Sequence, residues 1–280
     1  MTQRPNDKIV IISDTHMGRP DRDACTAQQL RPLWHGAAHF IVNGDVAEIQ
    51  DPSMRSDAAK QIQDLQDLCD ADGIKLTLLS GNHDAFLSDT RHLLLSDGRV
   101  LVTHGDVFHP AIAPWARGAK RMHWDTQRAL SRFSSRQQRD IDVRLSASQH
   151  VSQSDFARQE PDEAPTGLMR MLTSPVSMGK VLHYWLTIPT EAARFAEGFA
   201  PTTEAVIFGH SHRQGIWRRR ERLIINTGSF TFPGKPRAVA VQGLDISVWP
   251  IQRNREGYGL AARPIASFRL SAGSGTQQAA

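Results

Sequence analysis

Hydrophobic and polar positions along this chain fall in blocks. Six short apolar runs recur: KIVIIS (8–13), HFIVN (39–43), KLTLLS (75–80), RVLVT (99–103), EAVIF (204–208) and RLIIN (222–226). They are rich in Val, Ile and Leu and show little polar alternation. That pattern predicts strands buried on both faces and covered by helices. Between the second and third runs, residues 57–73 space Ile62, Leu65 and Leu68 three apart, and Gly73 stands where a helix would stop. Strand and helix in alternation predict an α/β layered fold. After Arg237, AVAVQGLDISVWPIQR and PIASFRL predict edge strands, with Gly243 in a turn or bulge.

The strand rhythm stops between about His109 and Pro201. Here Trp115, Ala119, Met122, Thr126, Leu130 and Phe133 recur at helical spacing, while Arg117, Arg121, Arg128 and Arg132 fall on the other face. The polar stretch SASQHVSQSDFARQEPDEAP (146–165) reads as a loop. Helical segments resume near GLMRML (167–172), KVLHYWL (180–186) and TEAARFAEGF (190–199). The expected division is a core of 1–108 and 202–270, a helical insertion or cap of 109–201, and a flexible tail of 271–280.

A chain of 280 residues, 40% hydrophobic and 22% charged, has enough material for one large domain, with or without an insertion. Two cysteines, Cys25 and Cys69, do not make a disulfide framework and fit a reducing, cytoplasmic setting. The N-terminal MTQRPNDK does not read as a signal peptide. No apolar run reaches the ~18 residues of a membrane span, although peripheral contact with an inner membrane stays compatible. The net charge of +4 is uneven, because residues 110–159 hold nine Arg and Lys against four Asp. Such an excess points to an anionic partner, whether phosphate, nucleic acid or acidic lipid headgroup, or to a solvated helix face.

The chemistry sits where the apolar runs end. The first ends in Asp14 and His16, the second in Asp45, and the third in Asn82, His83 and Asp84. The fourth ends in His104 and Asp106, the fifth in His210 and His212. In open α/β sheets the carboxyl ends of strands are where ligand sites form. Any one of these motifs alone is an ordinary turn. Burying so many Asp and His together without a compensating charge would be costly, and a multivalent cation removes that cost. Imidazole and carboxylate without thiolate suit Mn²⁺, Fe or Zn²⁺. The donors exceed what one tetrahedral ion needs, so two ions sharing a carboxylate account for them better.

The series Asp-x-His, Gly-Asp, Gly-Asn-His-Asp, His-Gly-Asp and Gly-His-x-His resembles the calcineurin-like metallophosphoesterase superfamily. The match spans roughly 8–108 and 204–230 and includes the trailing Asn226-Thr-Gly-Ser229. The resemblance implies a four-layer αββα sandwich and two divalent metal ions, with Mn²⁺ the first choice. It assigns Asp14, His16 and His212 to one ion, Asn82, His104 and His210 to the other, and Asp45 to a bridge between them. It implies a hydrolase acting on a phosphate ester or pyrophosphate. Two ions ~3.5–4 Å apart bind a hydroxide between them and clamp the phosphoryl group for in-line attack. His83 would stabilise the transition state or protonate the leaving group, with Asp84 orienting it. Asp106 would aim His104 or cap a turn. The remaining histidines, His35, His39, His92, His109, His123, His150 and His183, carry no motif and read as surface or packing, with His109 and His123 set apart because they open the insertion near His104.

The SDTHMG opening, the HGD motif and the helical stretch are also similar to the UDP-2,3-diacylglucosamine pyrophosphatases of lipid A synthesis, whose helical cap holds acyl chains. Those enzymes commonly carry Arg where this chain has His83, a departure that favours a more general phosphoesterase. Trp115, Trp124, Tyr184 and Trp185, together with the nearby arginines, would suit an amphiphilic anionic substrate, lipid-linked or nucleotide. Arg117, Arg121 and His123 are the substrate-binding candidates. A nuclease or cyclic-nucleotide phosphodiesterase is a further enzyme reading, although no nucleic-acid-binding signature appears. A non-catalytic scaffold on the same fold would be expected to lack ligands, and here every signature position is filled.

Overall fold

A computed structural model describes residues 7–20, 25–116, 118–158 and 175–271. Arg117, the GLMRML stretch and the tail beyond Ser271 lie outside the described residues.

All six apolar runs contain strands. In the first sheet, β1 (Ile9–Ile12), β2 (His39–Asn43) and β3 (Lys75–Leu79) pair in parallel. The second sheet holds β4 (His92–Leu95), β5 (Val100–Thr103), β6 (Ala205–Phe208), β7 (Gly215–Arg219) and β8 (Arg222–Asn226), in the order β4-β5-β6-β8-β7. Its three central strands are parallel, and β4 and β7 flank them antiparallel. The last strands, β9 (Arg237–Gln242), β10 (Asp245–Arg253), β11 (Tyr258–Leu260) and β12 (Ala266–Arg269), complete the first sheet.

Two strands expected at the edge are interior. β9 pairs with β1 on one side and β10 on the other, and β10 pairs with β9 and with both β11 and β12. In β9, Ala238, Val239, Ala240 and Val241 are all buried, as an interior strand requires. Strand order depends on pairing between distant segments, which local periodicity does not report. Gly243 does turn the chain from β9 to β10, at φ 59°. The short strands β4, β7 and β11 had no signal; β7 ends in two exposed arginines.

The absence of alternation along the central strands has a simple cause. In β1, Val10 and Ile12 pack toward Leu30, Trp34 and Leu65, the last on α2 (Arg55–Ala71). Ile9 and Ile11 point the other way, against Val100, Val102, Ile207 and Ile225 of the second sheet. From that sheet Leu101, Val206, Phe208 and Ile224 turn outward onto Tyr184, Ile188, Ala192 and Ala196. The layers therefore run helix, sheet, sheet, helix, with both faces of each sheet buried. α2 stops as expected, with Gly73 at φ 69° just past its end.

After a four-residue helix α1 (Ala27–Leu30) near the start of the chain and α2, the remaining helices are α3 (Ala119–Leu130), α4 (Ile141–Phe156) and α5 (Pro175–Phe199). α4 overturns the loop expected from residue 146. Asp140 caps it, accepting from the Asp142 amide at 2.8 Å. Its inward face mixes Leu145, Ala147 and Val151 with Ser148 and Ser152, so hydrophobic periodicity does not reveal it. α5 joins two expected helical pieces into one despite Pro189 within it. Proline has no N–H, so the Trp185 carbonyl four residues earlier loses its intrahelical donor. Arg213 replaces it, donating to Trp185 O at 3.1 Å with its guanidinium 5.7 Å from the Trp185 ring centre. Among the described residues, no helix is long and apolar enough to cross a membrane.

Candidate metal centre

The parallel strands of both sheets deliver their carboxyl ends to one place. The backbones of Asp14, His16, Asp45, His210 and His212 take φ between +46° and +60°. For residues other than glycine that conformation costs about 1–3 kcal/mol each, and it survives where the surroundings enforce it. Here it turns each side chain sharply off the end of its strand. The segments also approach very closely. A Cβ on Gly81 would collide with the Asp45 carboxylate, and one on Gly209 with that of Asp14. The sheets are tied across this edge by Asn43 Nδ2, which donates to Thr103 O at 2.9 Å.

Three groups of donors result among the described residues. Asp14, His16, Asp45 and His212 form the first, Asp45, His104 and His210 the second, and His16, Glu48 and His83 the third, each with its ligand atoms within 4.8 Å of one another. Asp45 belongs to the first two. His212 Nε2 lies 3.2 Å from Asp14 Oδ1, and His16 Nε2 lies 3.8 Å from Asp45 Oδ2. His104 Nε2 lies 3.3 Å from Asp45 Oδ2 but without hydrogen-bond geometry.

The hydrogen bonds fix which nitrogen of each ring faces inward. His104 Nδ1 donates to Asn43 O at 3.0 Å, and His210 Nε2 donates to Ile112 O at 3.0 Å. A carbonyl only accepts, so the proton sits on those nitrogens. The opposite atoms, His104 Nε2 and His210 Nδ1, are buried without a hydrogen-bond partner, as is Asn82 Oδ1. Unpaired buried acceptors are expensive; two belong to the second donor group, and the third to Asn82, whose neighbour His83 donates its amide to Asp45 Oδ1 at 2.9 Å. A divalent cation is the partner that suits them. In the first group, His16 gives Nδ1 to Glu48 Oε1 at 2.8 Å and turns Nε2 inward, 3.1 Å from His212 Nε2. The donor chemistry therefore fits a pair of divalent cations.

The electrostatics follow from burial and crowding. Burial opposes the ionised form of Asp45, yet His104 and His83 hold its pKa well below the ordinary carboxylate range. Burial likewise opposes the charged form of His104, but Asp45 pushes its pKa up to about 10, so a proton and a divalent cation compete for Nε2. His210 goes the other way, to about 4, through burial and then the nearby His104.

Glu48 is the residue that sequence reasoning missed. It is only 5% exposed. Besides His16 it meets His83 Nδ1 at 3.1 Å and accepts from Arg19 Nε at 2.7 Å. Burial works against its charge, but His83 and His16 keep its pKa well below the usual value. Its one signal was an acidic residue three positions after Asp45 in an apolar setting. Glu48, with Asp45, likewise raises the pKa of His83 to about 9 against the effect of burial. The His83 side chain remains 42% exposed.

Asp84 does not orient His83. Its buried carboxylate accepts from the amides of Gly81 and Val46, each at 2.5 Å, which pins the turn carrying Asn82 and His83. Burial and then Asp45 lift its pKa to about 7. Nor does Asp106 aim His104. It pairs with Arg91 at 2.6 Å and accepts from Ser148 of α4 at 2.8 Å. Asn226 secures the last motif, donating to Gly209 O at 2.6 Å and Ser211 Oγ at 3.0 Å. Of the substrate-binding candidates, Arg121 pairs with Asp155 and so ties α3 to α4, while His123 lies edge-on to Trp124. Neither joins the donor groups. Trp115 does border the centre, its ring 6.0 Å from that of His210.

The profile of the calcineurin-like phosphoesterases matches residues 7–214, and the chain belongs to that family. Among solved structures, it is similar to Vacuolar Protein Sorting 29 from Cryptosporidium parvum, at 11% identity and TM-score 0.42, covering 95% of this chain and 99% of that one. It is also similar to a dimetal phosphatase from Danio rerio, at 10% identity and TM-score 0.42, with 88% and 96% covered. A predicted phosphoesterase from Streptococcus pneumoniae TIGR4 aligns at 14% identity and TM-score 0.37, with 92% and 98% covered. Among curated proteins none matches the chain.

Proposed function

We propose that this chain is a dinuclear metal-dependent hydrolase of a phosphate ester or pyrophosphate. The observation that carries the reading is the set of buried atoms without partners, Asn82 Oδ1, His104 Nε2 and His210 Nδ1, beside a carboxylate common to two donor groups. Asp14, His16 and His212 would hold one divalent ion, Asn82, His104 and His210 the other, and Asp45 both. Mn²⁺ is the first choice, with Fe and Zn²⁺ also matched by the donors. Such ions supply an acidified water and positive charge for the phosphoryl oxygens.

The chain's own groups do the rest. Asp45 sets the separation of the two halves. Asn82 offers a neutral oxygen, so the centre keeps positive charge for an anionic substrate. His83 has Nδ1 committed to Glu48, and its ring is partly exposed. Its Nε2–H is thereby oriented to give a proton to the departing oxygen. Glu48, not Asp84, is the orienting carboxylate. Of the stretch 109–201 expected as a helical cap, α5 instead forms the outer helix layer of the core, and α3 and α4 are the part that would cap the centre. Its substrate is an anionic phosphoester, lipid-linked or nucleotide. Two buried free cysteines fit a reducing compartment, and we place the enzyme in the cytoplasm.

The deciding experiment is a substrate panel on Mn²⁺-loaded protein: nitrophenyl mono- and diesters, a cyclic nucleotide, single-stranded DNA and a UDP-linked acylated sugar. Metal-dependent hydrolysis of at least one is expected. Protein carrying two ions per chain yet inert on all of them would make the chain a scaffold and end the reading.

A further inference from the structure

Beside the candidate centre lies a second cavity, of about 230 Å³, lined by Ile49, Gln50, Arg55, Phe86 and Phe156. It is built from the same segments that carry the donors. Ile49 and Gln50 directly follow Glu48, and Phe86 follows Asp84 by two residues. Gln50 Nε2 donates to Asn82 O at 3.4 Å, which joins the cavity wall to the turn holding Asn82 and His83.

The cavity is held in shape by main-chain bonds. Arg55 donates to Ile49 O at 3.1 Å and to Gln50 O at 3.3 Å, so its guanidinium braces the rim. On the other side, Gln149 and Gln153 of α4 both donate to Ala85 O, at 2.8 and 2.9 Å, and Gln149 reaches Ser88 O at 3.3 Å. Phe156 stands on the same helix, three residues beyond Gln153. These bonds anchor the main chain on either side of Phe86 to the helix that carries Phe156. The Phe86 side chain is 64% exposed. A large aromatic left open to water gains by contact with an apolar ligand.

We propose that this cavity is a specificity subsite for an apolar group, an aryl ring or short acyl chain, carried by the substrate next to its phosphorus. The inference rests on the phosphoesterase reading and narrows its substrate to amphiphilic esters. The phosphoryl group occupies the centre, and the apolar group extends past His83 along Phe86. Trp124 of α3, also widely exposed at 71%, lies on a different helix and is not part of this cavity.

The test compares two non-hydrolysable ligands, methylphosphonate and naphthylmethylphosphonate, by calorimetry on the Mn²⁺-loaded protein. The naphthyl ligand is expected to bind about tenfold tighter or more, the usual range for filling an apolar pocket. Phe86→Ala, at an exposed site that the fold tolerates, should collapse that ratio toward one. Trp124→Ala should leave the ratio standing. Equal affinities for the two ligands, or a ratio that falls with Trp124→Ala and not with Phe86→Ala, would overturn the proposal. Turnover of the ester panel is scored separately. A preference for the naphthyl ligand without hydrolysis removes the phosphoesterase reading alone, and hydrolysis without the preference removes the subsite alone.

Discussion

The two halves of the centre hold their histidines by different means. On the Asn82 side, His104 and His210 each donate to a main-chain carbonyl, of Asn43 and Ile112. On the Asp14 side, His16 rests on a carboxylate, Glu48, and His212 Nδ1 lies 3.4 Å from the Thr231 hydroxyl. A carbonyl support carries no net charge and persists through any side-chain replacement that keeps the fold. Glu48 is ionisable, replaceable, and shared with His83 and Arg19. On the proposed reading, tuning of the ion and of the proton donor would therefore be concentrated on the Asp14 side, while the Asn82 side is fixed by the fold itself.

The largest effect is expected from the one residue that erases the distinction. Asp45→Asn should empty both halves, reducing bound metal by elemental analysis and lowering turnover by more than loss of a proton donor would. Two ions per chain retained in that variant would refute the common carboxylate. Next, His83→Ala should keep both ions and lower turnover by ~10²–10⁴, the range of general acid catalysis. An unchanged rate would return His83 to a purely structural part.

Glu48→Gln sharpens the comparison most directly. Loss of such a support typically costs ~10–100-fold in metal affinity. Calorimetric titration should show one of two sites weakened by that factor and the other unmoved. Both sites weakened equally would mean that the halves are not independently supported.

The smallest effect lies outside the centre and serves as its control. His39 in β2 is buried, with Nε2 2.8 Å from Thr77 Oγ1. Burial and then Lys75 lower its pKa to about 4 from an ordinary 6.5. The folded state thus resists protonation that the unfolded chain accepts. Its contribution is complete above pH 6.5 and is lost as pH falls from 6.5 toward 4, at up to about 1.4 kcal/mol per pH unit. Denaturant titrations of wild type and His39→Gln across that window should differ in slope. Metal stoichiometry at neutral pH should be the same in both.

Most of the centre was legible beforehand, because each donor directly follows an apolar run and the runs are strands. Asp14, His16, Asp45, His104, His210 and the others needed only that placement to be grouped. What escaped was support. Glu48 had a plain acidic neighbour's appearance, and Asp84 had the better claim by adjacency to His83. The structure reverses them, because the turn at Gly81 points the Asp84 carboxylate at two amides and leaves His83 facing Glu48 from the loop after β2. α4 escaped for a related reason. Its buried Ser148 and the partly buried Gln149 and Gln153 find partners in Asp106, Ala85 and Ser88, 42 to 68 residues away. A helix stabilised that way leaves little hydrophobic period to find.

Sequence alone thus determined the strands of the six apolar runs, the layered class and the gathering of Asp and His residues at the strand ends, since these depend on local periodicity and on what each strand end carries. Tertiary structure alone decided strand order, the rank of Glu48 over Asp84, the tautomers of His104 and His210, and the cavity beside Phe86. Each of those is set by a contact between segments far apart in the chain. Such contacts are chosen by which faces and charges can be buried together, and no local window of residues encodes that choice.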